Sequence, residues 1–206
     1  MFDRLKWPLT GFLVCTAALA GVRTLAYRAT VQRIDARVLH RVSIGDESPA
    51  HPVASFCAYL ADPLPQVVLL VLLGLGARHW GRVRQGIVAT GLVLGANLTT
   101  QVLKAILSQP RYQHILGSDQ IPATGFPSGH ATASMAMALA FVLVVPRSLR
   151  RMTIIVGALF VVAVGCSLVL LHRHYPSDIL GGWLVAGAWG CLALTALRVD
   201  RLSPAA

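Results

Sequence analysis

Met152 to Leu171 reads MTIIVGALFVVAVGCSLVLL, a run without one charged side chain. An α-helix rises about 1.5 Å per residue, so about 20 apolar residues match the ~30 Å hydrocarbon core of a bilayer. Inside lipid the backbone finds no water, and a helix satisfies its own N–H and C=O groups. Arg150 and Arg151 stand before the run and His172 and Arg173 after it, as expected where a span meets water. Outward from this span, five further stretches share its character: Trp7 to Val22, Val53 to Ala77, Gly86 to Leu107, Ser128 to Val145 and Ile179 to Leu197. Asp62, Pro63 and Pro65 interrupt the second, and Arg23 can snorkel from the end of the first. The predicted fold class is all-α, a polytopic membrane protein built as a six-transmembrane-helix bundle. No internal repeat or low-complexity linker divides the chain, so residues 1–206 read as a single membrane-embedded domain.

Composition points the same way. Of 206 residues, 55% are hydrophobic and 13% charged, against about a quarter charged in soluble domains. The mean hydropathy is +0.66. These values exclude a disordered chain and argue against a soluble globular domain. A formal charge of +10 suits nucleic acid when the basic residues form a block or stripe. Here they stand in small groups between apolar stretches, which argues against nucleic acid and for loops facing anionic lipid. Cys15, Cys57, Cys166 and Cys191 form no C-x-x-C pair, so neither zinc nor a disulfide framework is expected, and they read as small packing residues. No cleavable signal peptide is expected, because the first apolar stretch lacks a small-residue cleavage site and more spans follow.

Six spans place the N-terminus (Arg4, Lys6), Arg78, Arg82 and Arg84, Arg147, Arg150 and Arg151, and the tail (Arg198, Arg201) on one side. That side carries ten of the 18 cations and is predicted to be cytoplasmic, in the plasma (inner) membrane. Arg23, Arg28, Arg33, Arg37 and Arg41 crowd the stretch after span one. Val31 to Val42 reads there as an interfacial helix with Ile34, Val38 and Val42 along one side. Gly91-x-x-x-Gly95 in span three reads as a close-packing face within the bundle.

The three other cations are Lys104, Arg111 and Arg173. Spans of alternating direction bring Lys104, Arg111, Ser128, Gly129, His130, His174 and Asp178 to the same, extracytoplasmic, membrane face. In Phe126-Pro127-Ser128-Gly129-His130, Ser128 is a good N-cap for the apolar helix that follows. The free amides of that first turn can hold an anion, Gly129 permits close approach, and His130 faces what is held. His174 and Asp178 stand four residues apart around Pro176. A carboxylate on one imidazole nitrogen fixes the tautomer and leaves the other nitrogen as a nucleophile. Two cations, an anion-holding helix start, an oriented histidine and a second histidine describe phosphoryl transfer, which needs charge neutralisation, a nucleophile in line and an acid for the leaving oxygen.

These residues resemble the type 2 phosphatidic acid phosphatase family of integral membrane lipid phosphatases. That family carries Lys-x6-Arg-Pro, Pro-Ser-Gly-His and Ser-Arg-x5-His-x3-Asp. Here the first runs from Lys104 to Arg111 with Tyr112 in place of proline, and the second is intact at Pro127-Ser128-Gly129-His130. The third has Ser167, His174 and Asp178 with Leu168 in place of arginine. The resemblance spans residues 104–178 and extends through the six-span plan. It implies a phosphatase with no cofactor and no metal. By the family's assignment, His174 attacks phosphorus to form a phosphohistidine, Asp178 orients it, and His130 protonates the leaving alkoxide. Lys104, Arg111, Ser128 and Gly129 hold the phosphate oxygens. Leu168 removes one bidentate donor, for which Arg173 or His172 are the candidate replacements. Kinship with vanadate-binding haloperoxidases implies inhibition by orthovanadate.

The implied substrate is a lipid phosphate or diphosphate: a polyprenyl phosphate or diphosphate, phosphatidic acid or phosphatidylglycerophosphate. Two other functions share these residues. A lipid phosphotransferase would pass the phosphoryl group to an acceptor other than water, and a catalytically impaired lipid-phosphate binder would follow from Leu168. The spans do not set an oligomeric state.

Overall fold

The computed structural model describes residues 2–107, 121 and 125–199. Among the described residues there are helices and no strand. In chain order they are α1 (Phe2–Ala26), α2 (Ala29–Val42), α3 (His51–Tyr59), α4 (Pro63–His79), α5 (Val83–Leu107), α6 (Gly129–Val144), α7 (Arg147–Leu170) and α8 (Pro176–Val199). Four of them, α1 from Leu5, α5, α7 and α8, are long and apolar enough to cross a membrane. The second predicted span is a bent pair, α3 and α4, which meet at 53°. Pro63 causes the break: a proline has no N–H to give and its ring clashes with the preceding turn, so α3 stops and α4 restarts with proline in its first turn.

The fourth predicted span, α6, has 16 residues and is about 24 Å long at 1.5 Å per residue. It is the axis of the bundle, packed against α4, α5, α7 and α8. Ala131, Ala133, Ala136, Met137, Ala140 and Val144 are buried along it. The main cluster joins Ala136, Met137, Ala140 and Val144 to Leu73 and Ala77 of α4, Ala89, Leu92, Val93 and Ala96 of α5, and Val185, Ala186 and Ala193 of α8. Lipid tails are as apolar as leucine, so helices in a bilayer associate through close contact, and small residues permit it. At Gly95 a Cβ would collide with the Trp189 ring, whose Nε1 donates to Thr99 Oγ1 at 3.0 Å. Gly95 therefore packs within the bundle as expected, whereas Gly91 faces open space. α1 lies along α8 with Gly11 on Cys191 and Cys15 on Gly187, so these two cysteines do pack as small residues. Large apolar side chains such as Leu13, Val71, Ile87, Leu98 and Leu159 point outward.

Arginines close the helix ends. Arg82 donates to the carbonyl of Val145 at the end of α6, and Arg84 donates to that of Ala196 in α8 at 2.9 Å. At the other end of the bundle, Arg23 stacks on Tyr27 at 3.8 Å and reaches the carbonyl of Leu107, the last residue of α5, at 3.4 Å. Each satisfies a helix-end carbonyl that has no partner within its own helix. Helix α2 buries Gln32, Asp35, Ala36 and Leu39 and leaves Ile34, Val38 and Val42 exposed. Its polar anchor is Asp35, whose Oδ2 accepts from Ser177 Oγ at 2.6 Å, which ties α2 to the start of α8.

Candidate active site

The ends of α5 and α7 and the starts of α4, α6 and α8 meet at one end of the bundle. Ser128 has extended backbone angles (φ −67°, ψ 123°) and its Oγ accepts from the Ala131 amide at 3.3 Å, the predicted N-cap. Its own N–H donates to the carbonyl of Asp178 at 2.9 Å, which fastens α6 to α8. That bond occupies the Ser128 amide, so the donors left for an anion are the amides of Gly129 and His130, in the first turn of α6, and the Ser128 hydroxyl. The expected cradle is thereby moved on by one residue. Gly129 is open on the side that matters: a Cβ there would stand 3.7 Å from Lys104 Nζ and 3.8 Å from Gln101 Nε2. The ammonium from the last turn of α5 thus overlooks the free amides. Arg111 lies outside the described residues.

The turn from α7 to α8 explains how His174 is presented. His172 adopts a left-handed backbone (φ 57°) just past the end of α7. Its N–H donates to the carbonyl of Val169 at 3.1 Å, and that of Arg173 to the carbonyl of Leu168 at 2.9 Å. These paired bonds are the Schellman termination of a helix. The His174 N–H shares the Leu168 carbonyl at 3.2 Å. The side chain of Leu168 is fully buried with Ala58, Ala61, Ala131, Val164 and Ile179. The position where the family carries arginine therefore works here through its backbone and its packing.

His172 is drawn toward α2. Its Nδ1 lies 3.2 Å from Ser43 Oγ and its ring 6.5 Å from that of His40. Of the two candidate replacements for the missing arginine, His172 is thus turned to α2, and Arg173, next to His174 in the chain, is exposed.

His174 is buried, with its ring centroid 6.4 Å from that of His130. Among the described residues its Nδ1 has no hydrogen-bond partner, and it lies 3.6 Å from Asp178 Oδ2. This is an ion-pair separation rather than the expected hydrogen bond; catalytic hydrogen bonds are often long before substrate binds. Asp178 is held by the Tyr175 amide, which donates to Oδ2 at 3.1 Å, and Gly125 packs close to the same oxygen. The expected residues Lys104, Ser128, Gly129, His130, Arg173, His174 and Asp178 are thus brought to one end of the bundle.

Three further groups escaped the reading of the sequence. Asp62 Oδ1 lies 2.7 Å from His130 Nε2. Thr132 Oγ1 donates to the Ser128 carbonyl at 2.9 Å and lies 2.9 Å from Thr100 Oγ1, a buried hydroxyl pair beneath the cradle. A groove of about 340 Å³ runs from Lys104, Gly129 and His130 between α4 and α5, past Gln101 and Asn97 to Leu70 and Leu94. The signal for Asp62 was present in the sequence, since an ionisable residue inside an apolar stretch marks a functional site by default. Among the described residues no three His, Cys, Asp or Glu side chains cluster as metal ligands.

The likenesses to known proteins fall on the same region. The sequence pattern of the PAP2 superfamily matches residues 85–201. A lipid A 1-phosphatase of Rhizobium johnstonii is 43% identical over 76 residues, 37% of this chain and 28% of that protein. A lipid A 1-phosphatase of Rhizobium etli is 32% identical over 118 residues, 53% of this chain and 48% of that protein. The chain thus aligns with less than half the length of either relative. The crystal structure of a transmembrane PAP2-type phosphatidylglycerolphosphate phosphatase from Bacillus subtilis superposes with a TM-score of 0.75, at 20% identity, over 95% of this chain and 97% of that one. The apolar helices and these relatives make the protein an integral membrane protein. With the family's pattern over more than half of its length, this chain belongs to the PAP2 superfamily.

Proposed function

We propose that this protein hydrolyses a lipid phosphate or diphosphate by way of a phosphohistidine, without a metal ion. The observation that carries the proposal is the juxtaposition of His174 and His130, 6.4 Å apart, beside free amides and the Lys104 ammonium. With Nδ1 turned to Asp178, Nε2 of His174 is the nitrogen that attacks phosphorus. The P–O bond to the lipid breaks as the N–P bond forms, and the leaving oxygen takes a proton from His130. Water then attacks the phosphohistidine and gives a proton back to His130, releasing inorganic phosphate and restoring His174. Lys104, Arg111, Arg173, the Ser128 hydroxyl and the amides of Gly129 and His130 neutralise the phosphoryl oxygens, whose charge is greatest in the transition state.

The groove between α4 and α5 supports a lipid as substrate, because its apolar floor continues away from the charged end. The candidate lipids are polyprenyl phosphates and diphosphates, phosphatidic acid, phosphatidylglycerophosphate and, from the names of the relatives, lipid A phosphorylated at position 1. We read the chain as one domain with six crossings, the bent α3–α4 pair and the short α6 each counting as one. Helix α2 lies in the interface with Ile34, Val38 and Val42 in lipid. The arginine-rich ends are cytoplasmic and the site faces the extracytoplasmic side of the inner membrane.

Purified protein in detergent, assayed with EDTA against a panel of these lipids beside His174→Ala, tests the reading. Release that survives EDTA, vanishes in His174→Ala and is inhibited by orthovanadate is expected. Release abolished by EDTA overturns the metal-free chemistry. Lipid binding without release favours the impaired binder that Leu168 suggests, and a product that appears only with an added acceptor favours a transferase.

A further inference from the structure

Asp62 sits in the break between α3 and α4, at the level of the candidate site and within an otherwise apolar stretch. An aspartate at this position, the N-cap of α4, ordinarily turns its carboxylate onto the second or third amide of its own helix. Here it makes no such bond. The local sequence gives the reason. Pro63 and Pro65 are the first and third residues of α4, and a proline has no N–H, so of the two amides a cap accepts from, the third is missing and that of Leu64 alone remains. The 53° bend then aims the carboxylate across to α6, where Oδ1 meets His130 Nε2 at 2.7 Å.

We propose that Asp62 is a positioning residue for His130, an inference that rests on the phosphatase reading above. By accepting from Nε2–H, the carboxylate fixes the tautomer and the plane of the ring, so that Nδ1 is the nitrogen that gives up and regains the mobile proton. An acid must begin as imidazolium, and Asp62 is the counter-charge beside it. In the first step the proton leaves His130 Nδ1 for the alkoxide oxygen as the P–O bond breaks; in the second it returns from the attacking water. Asp62 keeps its negative charge throughout. Each histidine of the pair then has its own carboxylate: Asp178 for His174 from the same turn, and Asp62 for His130 from a different helix.

The test is a cycle of variants of the purified full-length protein in detergent, with melting temperature as the folding control. On an alkyl lipid phosphate, Asp62→Asn is expected to lower kcat about 10- to 100-fold with KM little changed. Asp62→Glu, which keeps a carboxylate, recovers part of the loss and stands in for the asparagine variant if that one does not fold. In the His130→Ala background, Asp62→Asn is expected to cause no further loss. With 4-nitrophenyl phosphate, whose leaving group departs without a proton, the effect of Asp62→Asn on kcat/KM, which reports the first step alone, shrinks to within about threefold. Equal losses on both leaving groups, losses that multiply in the double variant, or an unchanged kcat in folded Asp62→Asn overturn the proposal. Wild-type protein that releases phosphate from no substrate overturns the phosphatase reading instead.

Discussion

Replacing Gly182 by alanine adds one methyl group to α8 where it crosses the start of α6. Built on the present backbone, that Cβ lies 2.5 Å from the Ser128 carbonyl oxygen, 3.0 Å from Ala131 Cβ and 3.0 Å from the Thr132 amide nitrogen. Two of the three obstacles are backbone atoms of a helix, which cannot swing aside. Ordinary contact begins at 3.4 Å, so the helices must part by about 0.9 Å, the overpacking that typically costs ~1–3 kcal/mol. The bonds along this seam are the Ser128 amide to the Asp178 carbonyl at 2.9 Å and Thr132 Oγ1 to the Gly182 carbonyl at 3.3 Å, and neither survives such a shift. His174 and Asp178 ride with α8, the Gly129 and His130 amides with α6. A misplacement of about 1 Å between reacting groups costs about 100-fold in rate, or ~2.7 kcal/mol. We therefore expect Gly182→Ala to lower kcat for lipid phosphate hydrolysis about 100-fold in protein that still purifies as folded. Gly91→Ala, where a Cβ meets nothing within 4 Å, is the matched control and should keep wild-type turnover. A Gly182→Ala protein with kcat within threefold of wild type would refute the account of how α6 and α8 set the site.

The turn after α7 separates the roles of two neighbours. Arg173→Ala should lower turnover about as far as Arg111→Ala, on the order of 100- to 1,000-fold for a lost transition-state donor. His172→Gly, which suits the left-handed backbone and removes an imidazole facing Ser43, should stay within about twofold; the reverse ranking in steady-state kinetics would assign the replacement cation to His172. Asp35→Ala leaves buried Ser177 without its acceptor at 2.6 Å and should destabilise the protein by about 1–3 kcal/mol, read as a lower melting temperature in detergent. An unchanged melting temperature would remove Asp35 as the anchor of α2.

Much of this arrangement was legible from residue spacing. His174 and Asp178 are four apart, and Ser128, Gly129 and His130 are adjacent, so each group is local and one stretch of chain specifies it. The alternation of spans supplied the rest, by bringing the end of α5 and the starts of α6 and α8 to one side. Asp62 and His130 are 68 residues apart, and only the bend that Pro63 imposes makes them neighbours. Asp62 was visible as an interruption of a span, but its partner was not. The Thr100–Thr132 pair was hidden for the same reason, since a hydroxyl in an apolar run carries no mark of the helix it will face. Helix ends also ran past the predicted spans. Helix α7 begins at Arg147, not Met152, because hydropathy marks the part of a helix that lies in lipid, while arginine continues a helix into water readily. In the sequence Leu168 is only a loss of charge; its backbone carbonyl, which closes the turn that presents His174, has no signature in side-chain identity.

The groove beside Lys104 and His130 has Val67 and Leu94 on its rim, both more than half exposed on the lipid-facing surface. A site reached through that rim meets its substrate in two dimensions. The encounter rate then follows the mole fraction of substrate among the surrounding amphiphiles, and its bulk molarity drops out. Diluting a mixed micelle with buffer at constant composition would leave turnover unchanged, whereas adding inert detergent would slow it. For the proposed phosphatase, the same geometry would make throughput in a cell a gauge of how crowded its leaflet is with phosphorylated lipid.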